Sequence, residues 1–294
     1  TYIIYMLIIA KKGIKQLKNI DETLKEASKC LNCKNPSCKK GCPIATNIPE
    51  FILEIKNQNF NKAYEILQEN NLMSDICSTI CPAEEQCTGN CIKGIKGKPI
   101  PINELEKFIN EWAKENNIKY DTIINHNTNK KVAVIGAGPA GIACSIALRK
   151  AGADVTIFEK EDKCGGILEY GIPDFRLSKE MVTNIVKRVS NLGIKIENSK
   201  KLGKDITINS LKNDGFDNIF LGLGAQRQTT YKLIEEPAKT ILTSEELLKK
   251  YNEKGKIENL GITVVIGGGN VALDSARAAF RMGAKEVYVL YRRN

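Results

Sequence analysis

Two stretches constrain this chain more than any other part of it. Lys131–Ile135 (KVAVI) runs into Gly136-Ala137-Gly138-Pro139-Ala140-Gly141 and then into IACSIALRKAG. Ile262–Ile266 (ITVVI) runs into Gly267-Gly268-Gly269-Asn270-Val271-Ala272 and another helix-forming segment. A short apolar run before clustered glycines reads as a buried strand ending in a tight turn, and the segment after it as a helix. Each copy then reaches a second strand, Asp154–Phe158 (DVTIF) in the first and EVYVLY in the second. The chain therefore repeats one βαβ unit, which predicts an α/β fold with tandem Rossmann-like nucleotide-binding units. Further strands are expected at 194–196 and 218–221, with a helix on the stripe Val182, Ile185, Val186 and Val189.

The glycine pattern carries a mechanism. The first glycine permits the turn, the second lets backbone approach a pyrophosphate, and the third lets helix pack on strand. In the first copy Glu159 ends the second strand, where a ribose hydroxyl needs an acceptor. A glycine-rich turn without a ligand is the alternative. In the second copy Ala272 takes the third glycine's place, and the strand ends in Arg292-Arg293 with no acid. A guanidinium pairs with a 2′-phosphate that a carboxylate would repel, so this site reads as NADP(H). The alternative is a solvated strand end. Two nucleotide sites suggest one bound flavin and one exchanging nicotinamide.

The 294 residues, 42% hydrophobic and 27% charged, leave room for more than one domain and argue against disorder as the main state. The apolar opening, Tyr2 to Ala10, falls short of the roughly 20 residues that span a bilayer. It lacks a basic leader and a cleavage site, so a cytoplasmic protein without a membrane partner is expected. A start at Thr1 rather than Met suggests a missing beginning. The net charge of +10 comes from scattered lysines with few aromatics among them, so no nucleic-acid partner is expected. The single histidine, His126, sits in a polar stretch, which makes histidine-based catalysis improbable.

Eight of the ten cysteines fall between Cys30 and Cys91. They run Cys30-x2-Cys33-x4-Cys38-x3-Cys42-Pro43 and then Cys77-x3-Cys81-Pro82-x4-Cys87-x3-Cys91. Cys-Pro at the end of a dense run is the habit of ferredoxin-type [4Fe–4S] ligation. Structural zinc favours separated Cys-x2-Cys pairs, which the second group lacks; zinc and free thiols remain the alternatives. Cys144 reads as a small core residue, and Cys164 has no partner for a redox dithiol.

These features together resemble the small (β) subunit family of NADPH-dependent glutamate synthase. That family includes the large subunit of NAD-dependent ferredoxin:NADP oxidoreductase and the N-terminal half of dihydropyrimidine dehydrogenase. The resemblance runs from about Asp21 to Asn294, through CLNCKNPSCKKGCPIATNIPEF, CSTICPAEEQCTGNC, NELEKF, GAGPAG, GGILEYGIPDFRL, GGGNVALDSAR and YRRN. It implies two interleaved [4Fe–4S] clusters, one on Cys30, Cys33, Cys38 and Cys91, the other on Cys42, Cys81, Cys87 and Glu106. Cys77 would then be a bystander. Asn103-x-x-Glu106 is also a capping-box pattern, which gives Glu106 a second reading at a helix start. The resemblance carries FAD contacts to the first fingerprint, Glu159, Gly166, Ile167, Arg176 and Leu202, although Arg176 also reads as a surface loop charge. NADPH would fall to Gly267, Gly268, Gly269, Asn270, Val271, Arg292 and Arg293.

The expected organisation is a helical [4Fe–4S] domain at 1–117, a linker at 118–130, an incomplete FAD domain at 131–260 and the start of an NADPH domain at 261–294. Members of the family continue past this point, so the second unit is expected to be truncated. The function implied is electron transfer from NADPH through FAD and [4Fe–4S] clusters to a glutamate synthase large subunit or another redox partner. An electron-bifurcating ferredoxin:NADP oxidoreductase large subunit and a non-catalytic iron–sulfur module are the alternatives.

Overall fold

A computed structural model describes residues 3–6, 19–118, 127–225, 241–258 and 260–291. The chain forms two compact units, one of Lys12–Ile123 and one of Thr1–Lys11 with Ile124–Asn294.

The cysteine-bearing unit is helical: α1 (Ile20–Ala27), α2 (Ser37–Gly41), α3 (Ile48–Lys56), α4 (Phe60–Asn70), α5 (Ser74–Ile80) and α6 (Ile102–Glu115). Helix α1 starts where the Asn19 side chain accepts from the Glu22 N–H at 2.8 Å, with Asp21 and Glu22 in the positive first turn. Pro49 opens α3, at a position whose N–H would have no helical partner. Helix α6 buries Ile102, Leu105, Ile109 and Ala113, a stripe at spacings of three and four. Ile102, Leu105 and Ile109 share one core with Phe51, Ile52 and Ile55 of α3 and Leu67 of α4. Truncating one such side chain, as in Leu105→Ala, costs about 2–5 kcal/mol. Cys30, Cys38, Cys42, Cys87 and Cys91 lie against the same core, so the fold that buries the aliphatic residues also gathers the thiols.

In the other unit, β1 (Ile3–Met6) pairs antiparallel with a strand from the far end of the sequence. The first nucleotide half comprises β2 (Lys131–Ile135), α7 (Pro139–Lys150), β3 (Asp154–Phe158), α8 (Ile167–Tyr170), α9 (Lys179–Asn191), β4 (Lys195–Glu197), α10 (Ile208–Asn213) and β5 (Asn218–Leu221). Its strands pair in parallel in the order β4-β3-β2-β5. Strands β2 and β3 are buried from their second residue onward, as continuous apolar runs between helices should be. The order reverses direction at β2, and in open α/β sheets such a switch point is where ligands bind, beyond the strand C-termini. Gly136 begins there.

The second half holds α11 (Ser244–Asn252), β6 (Ile262–Ile266), α12 (Asn270–Arg281) and β7 (Glu286–Tyr291), with sheet order β1-β7-β6. Val265, Ala272, Ala276 and Val289 form its small core. On β6, Ile262, Val264 and Ile266 are exposed. Among the described residues no helix is long and apolar enough to cross a membrane.

Candidate functional site

Four thiols edge one cavity in the helical unit. Cys30 follows α1, its N–H held by the Ala27 carbonyl at 3.0 Å; Cys33 and Cys38 follow, the latter on α2. Cys91 comes from the far end of the cysteine block and completes the lining with Ile48, Ile52 and Ile100. Burial pushes the Cys38 thiol up to about 11, and the Cys91, Cys30 and Cys33 sulfurs nearby push the same way. A bound cation removes that penalty, because thiolate is the metal-binding form. Residues 27–49 and 86–103 contain seven lysines and no carboxylate, so the charge of four thiolates is partly offset by the segments that supply them. Among the described residues no three Cys, His, Asp or Glu side chains converge closely enough for a single ion.

A second gathering lies around Glu106. Its carboxylate is buried on α6 and accepts from Asn71 Nδ2 at 2.8 Å and Ser74 Oγ at 2.7 Å. Burial pushes this carboxyl up to about 8, against the two hydrogen bonds, which favour the charged form. Burial also pushes Cys87 up to about 11, with Glu106 and Cys42 as charged neighbours, and Cys81 faces Glu106 as well. The capping-box reading of Glu106 is incorrect. Pro101 is the N-cap of α6 without a side-chain cap bond, and Asn103, already inside the helix, donates to Glu104 at 3.4 Å. Helix α6 opens two residues earlier than the pattern implied because Ile102 is drawn into the core. Cys77 on α5, one turn before Cys81, hydrogen-bonds to it, which lowers the Cys81 thiol and raises Cys77. The sequence reading gave Cys77 no role; its four-residue spacing from Cys81 was the available signal.

At the first fingerprint the backbone itself makes the site. Gly136 has φ +103°, and its N–H is held by the Phe158 carbonyl at 2.7 Å. A Cβ on Gly141 would stand 1.8 Å from the Gly136 carbonyl oxygen, so α7 can pack on this turn only without one. Gly138 caps α7 and Pro139 occupies its first turn, which leaves the helix N-terminus open toward an anion. Glu159 is buried and accepts from the Ala137 N–H at 2.7 Å and the Glu161 N–H at 3.0 Å. Ala140 is exposed beside this turn. Gly166 lies against Gly138 and caps α8, and Ile167 next to it is exposed. Leu202 packs on the core formed by Ala133, Ile135 and Phe158. Cys164 is buried, with Sγ 3.4 Å from Asn198 Oδ1, whereas Cys144 is half-buried rather than in the core.

The second fingerprint repeats the turn. Gly269 caps α12, Ala272 is buried, and Asn270 and Val271 face solvent. Gly267 has φ +129°, and a Cβ added there would stand 3.4 Å from the Ala272 methyl. Gly268 sits against the Tyr291 ring. Arg292, Arg293 and His126 lie outside the described residues. Arg176 is brought to the second half rather than left as a surface charge: its guanidinium donates to Asp274 on α12 at 2.6 Å. Nothing in the sequence pattern paired these two.

Comparison with known proteins decides the family. Residues 130–294, more than half of the chain, match the family described as pyridine nucleotide-disulphide oxidoreductase. The chain belongs to that family. Ahead of this oxidoreductase region, residues 9–118 match the family described as dihydropyrimidine dehydrogenase domain II, 4Fe-4S cluster. The oxidoreductase is 31% identical over 280 residues to the glutamate synthase [NADPH] small chain of Escherichia coli strain K12, covering 92% of this chain and 59% of that one. It is 34% identical over 265 residues to the NAD-dependent dihydropyrimidine dehydrogenase subunit PreT of Escherichia coli O157:H7, covering 90% and 63%. The chain thus spans about three-fifths of the length of these relatives. Among solved structures, histamine dehydrogenase from Rhizobium sp. 4-9 aligns with 87% of this chain and 36% of its own, at TM-score 0.47 and 20% identity.

Proposed function

We propose that this chain is the NADPH-oxidising, FAD- and [4Fe–4S]-containing electron-transfer part of a glutamate synthase, serving a large-subunit partner. The observation that carries the reading is the cavity edged by Cys30, Cys33, Cys38 and Cys91 in a chain that also holds two dinucleotide fingerprints. When bound, the cofactors supply hydride acceptance and one-electron release, chemistry that side chains lack.

The chain's own residues bind and orient. Cys30, Cys33, Cys38 and Cys91 would hold one cluster, and Cys42, Cys81, Cys87 and Glu106 the other. Glu106 brings a carboxylate that Asn71 and Ser74 already keep in one orientation. The turn from Gly136 to Gly141, with the N-terminus of α7, would take the FAD pyrophosphate, and Glu159 would accept from its ribose. Gly166, Ile167 and Leu202 would flank the flavin side. Gly267, Gly268, Gly269, Asn270 and Val271 would receive NADPH, with Arg292 and Arg293 on its 2′-phosphate.

The test is anaerobic reconstitution with iron, sulfide and FAD, followed by NADPH. A brown protein whose flavin band bleaches on NADPH, and which co-purifies with a glutamate synthase large subunit from its source cells, is the expected result. Stoichiometric zinc with no iron and no flavin band contradicts it.

A further inference from the structure

Three consecutive side chains of one loop leave the first nucleotide half and engage the second. The loop's own backbone belongs to the first half: Pro173 and Leu177 are buried there, and the Pro173 carbonyl accepts from the N–H of Arg176 at 2.9 Å and of Leu177 at 3.0 Å. From this turn Asp174 Oδ1 accepts from the Tyr251 hydroxyl of α11 at 3.0 Å. The Phe175 ring meets the Tyr251 ring edge-on at 5.8 Å and lies 4.0 Å from the Arg281 guanidinium of α12. Arg176 donates to Asp274 Oδ2 at 2.6 Å.

Asp274 is the unusual member. It is a buried carboxylate in the second half whose short partner comes from the first, and burying a carboxylate is unfavourable unless a cation is held against it. Its other oxygen, Oδ1, has no hydrogen bond and only Arg277 at 3.7 Å. The Arg176 guanidinium is thus the one close compensation for this charge among the described residues. An ordinary surface loop has no such dependence.

We infer that Asp174, Phe175 and Arg176 form a strap that fixes the second nucleotide half against the first, with Asp274 as its anchor and a positioning residue for hydride transfer. The inference rests on the reading of the two halves as flavin and nicotinamide sites. It gives Arg176 its partner on α12. The strap aligns the donor and acceptor sites, and small errors of alignment are costly because transfer needs near-contact geometry.

The experiment has two arms. In the first, amide hydrogen exchange across 270–281 is compared for the parent chain, Arg176→Ala, Asp274→Asn, the double variant and Arg176→Lys. Exchange should quicken about tenfold in either single variant, no further in the double variant, and recover most of the way in Arg176→Lys. In the second, the reconstituted FAD protein is mixed anaerobically with NADPH. Arg176→Ala and Asp274→Asn should slow flavin reduction at saturating NADPH by about tenfold, with flavin content and NADPH affinity within about twofold of the parent. Additive effects in the double variant overturn the strap. So does flavin loss in Arg176→Ala beside parental behaviour in Asp274→Asn, since Arg176 would then be a flavin contact. If the parent itself is not reduced by NADPH, the functional reading fails, while the exchange arm still decides the strap.

Discussion

In the helical unit the thiols around one cavity come from residues 30 to 38 and from residue 91, whereas in the nucleotide unit six consecutive residues, Gly136 to Gly141, make the glycine-rich turn. The first site exists only once α1, α2, α3 and α6 have packed, because those contacts bring Cys91 to Cys30. The second is set by a strand end, a positive φ at Gly136 and a Cβ-free contact at Gly141. One site is thus built from side chains and tertiary packing, the other from backbone and local sequence. They should fail in different ways, and each failure should leave the other site standing.

The largest effect is expected from Gly141→Val. With only 1.8 Å available for the first added atom, α7 must move off β2, and flavin binding should be lost completely. Iron content after reconstitution should stay at the parent value. Loss of iron together with flavin would break the contrast between the two units.

Glu106→Gln comes next. It keeps the shape of the side chain and its place beside Asn71 and Ser74 while removing the anionic donor. One cluster's electron paramagnetic resonance signal should change and the other remain. A change confined to thermal stability, of roughly 1–3 kcal/mol as for a disturbed buried hydrogen bond, would make Glu106 a structural residue instead.

A smaller effect belongs to cofactor choice. Changing Arg292 and Arg293 together to Ala should cut the preference for NADPH over NADH by about tenfold, equal to 1.4 kcal/mol. High salt should narrow the parent's preference in the same direction. Arg281→Ala serves as a control on the preceding helix and should leave the ratio alone. A double variant with the parent's ratio would mark the two arginines as a solvated strand end.

The smallest is Gly269→Ala. Nothing lies within 4 Å of the added methyl and the backbone there is extended, so folding should lose no more than about 1 kcal/mol, the cost of a poorer helix cap. Any larger loss should be confined to NADPH affinity, read by titration. Unfolding of the second half would show that its turn is packed as tightly as the first.

How much the sequence disclosed follows the same division. The strands at 131–135, 154–158, 218–221 and 262–266 were legible because each is a run of local period with glycine or a charged residue at its end. The turn at Gly136 and the close packing at Gly141 were legible for the same reason. The opening of α6 was not, because Asn103 carries a capping signal that the burial of Ile102 overrides. The pairing of β1 with β7 was out of reach, since an edge strand takes a partner from anywhere in the chain. Arg176 and Asp274 lie nearly a hundred residues apart, and no spacing rule joins them. Spacing alone grouped the cysteines four and four; the interleaved set came from resemblance, and Cys30, Cys33, Cys38 and Cys91 edge one cavity.

Iron content in four chains tests that central claim directly. The reconstituted parent should hold about eight irons, and Cys38→Ala and Cys91→Ala about four each. On the proposed ligand set both residues serve one cluster, so the Cys38→Ala/Cys91→Ala double variant should still hold about four. If each single variant keeps half the iron and the double variant keeps none, Cys38 and Cys91 serve different clusters and the interleaved site is wrong.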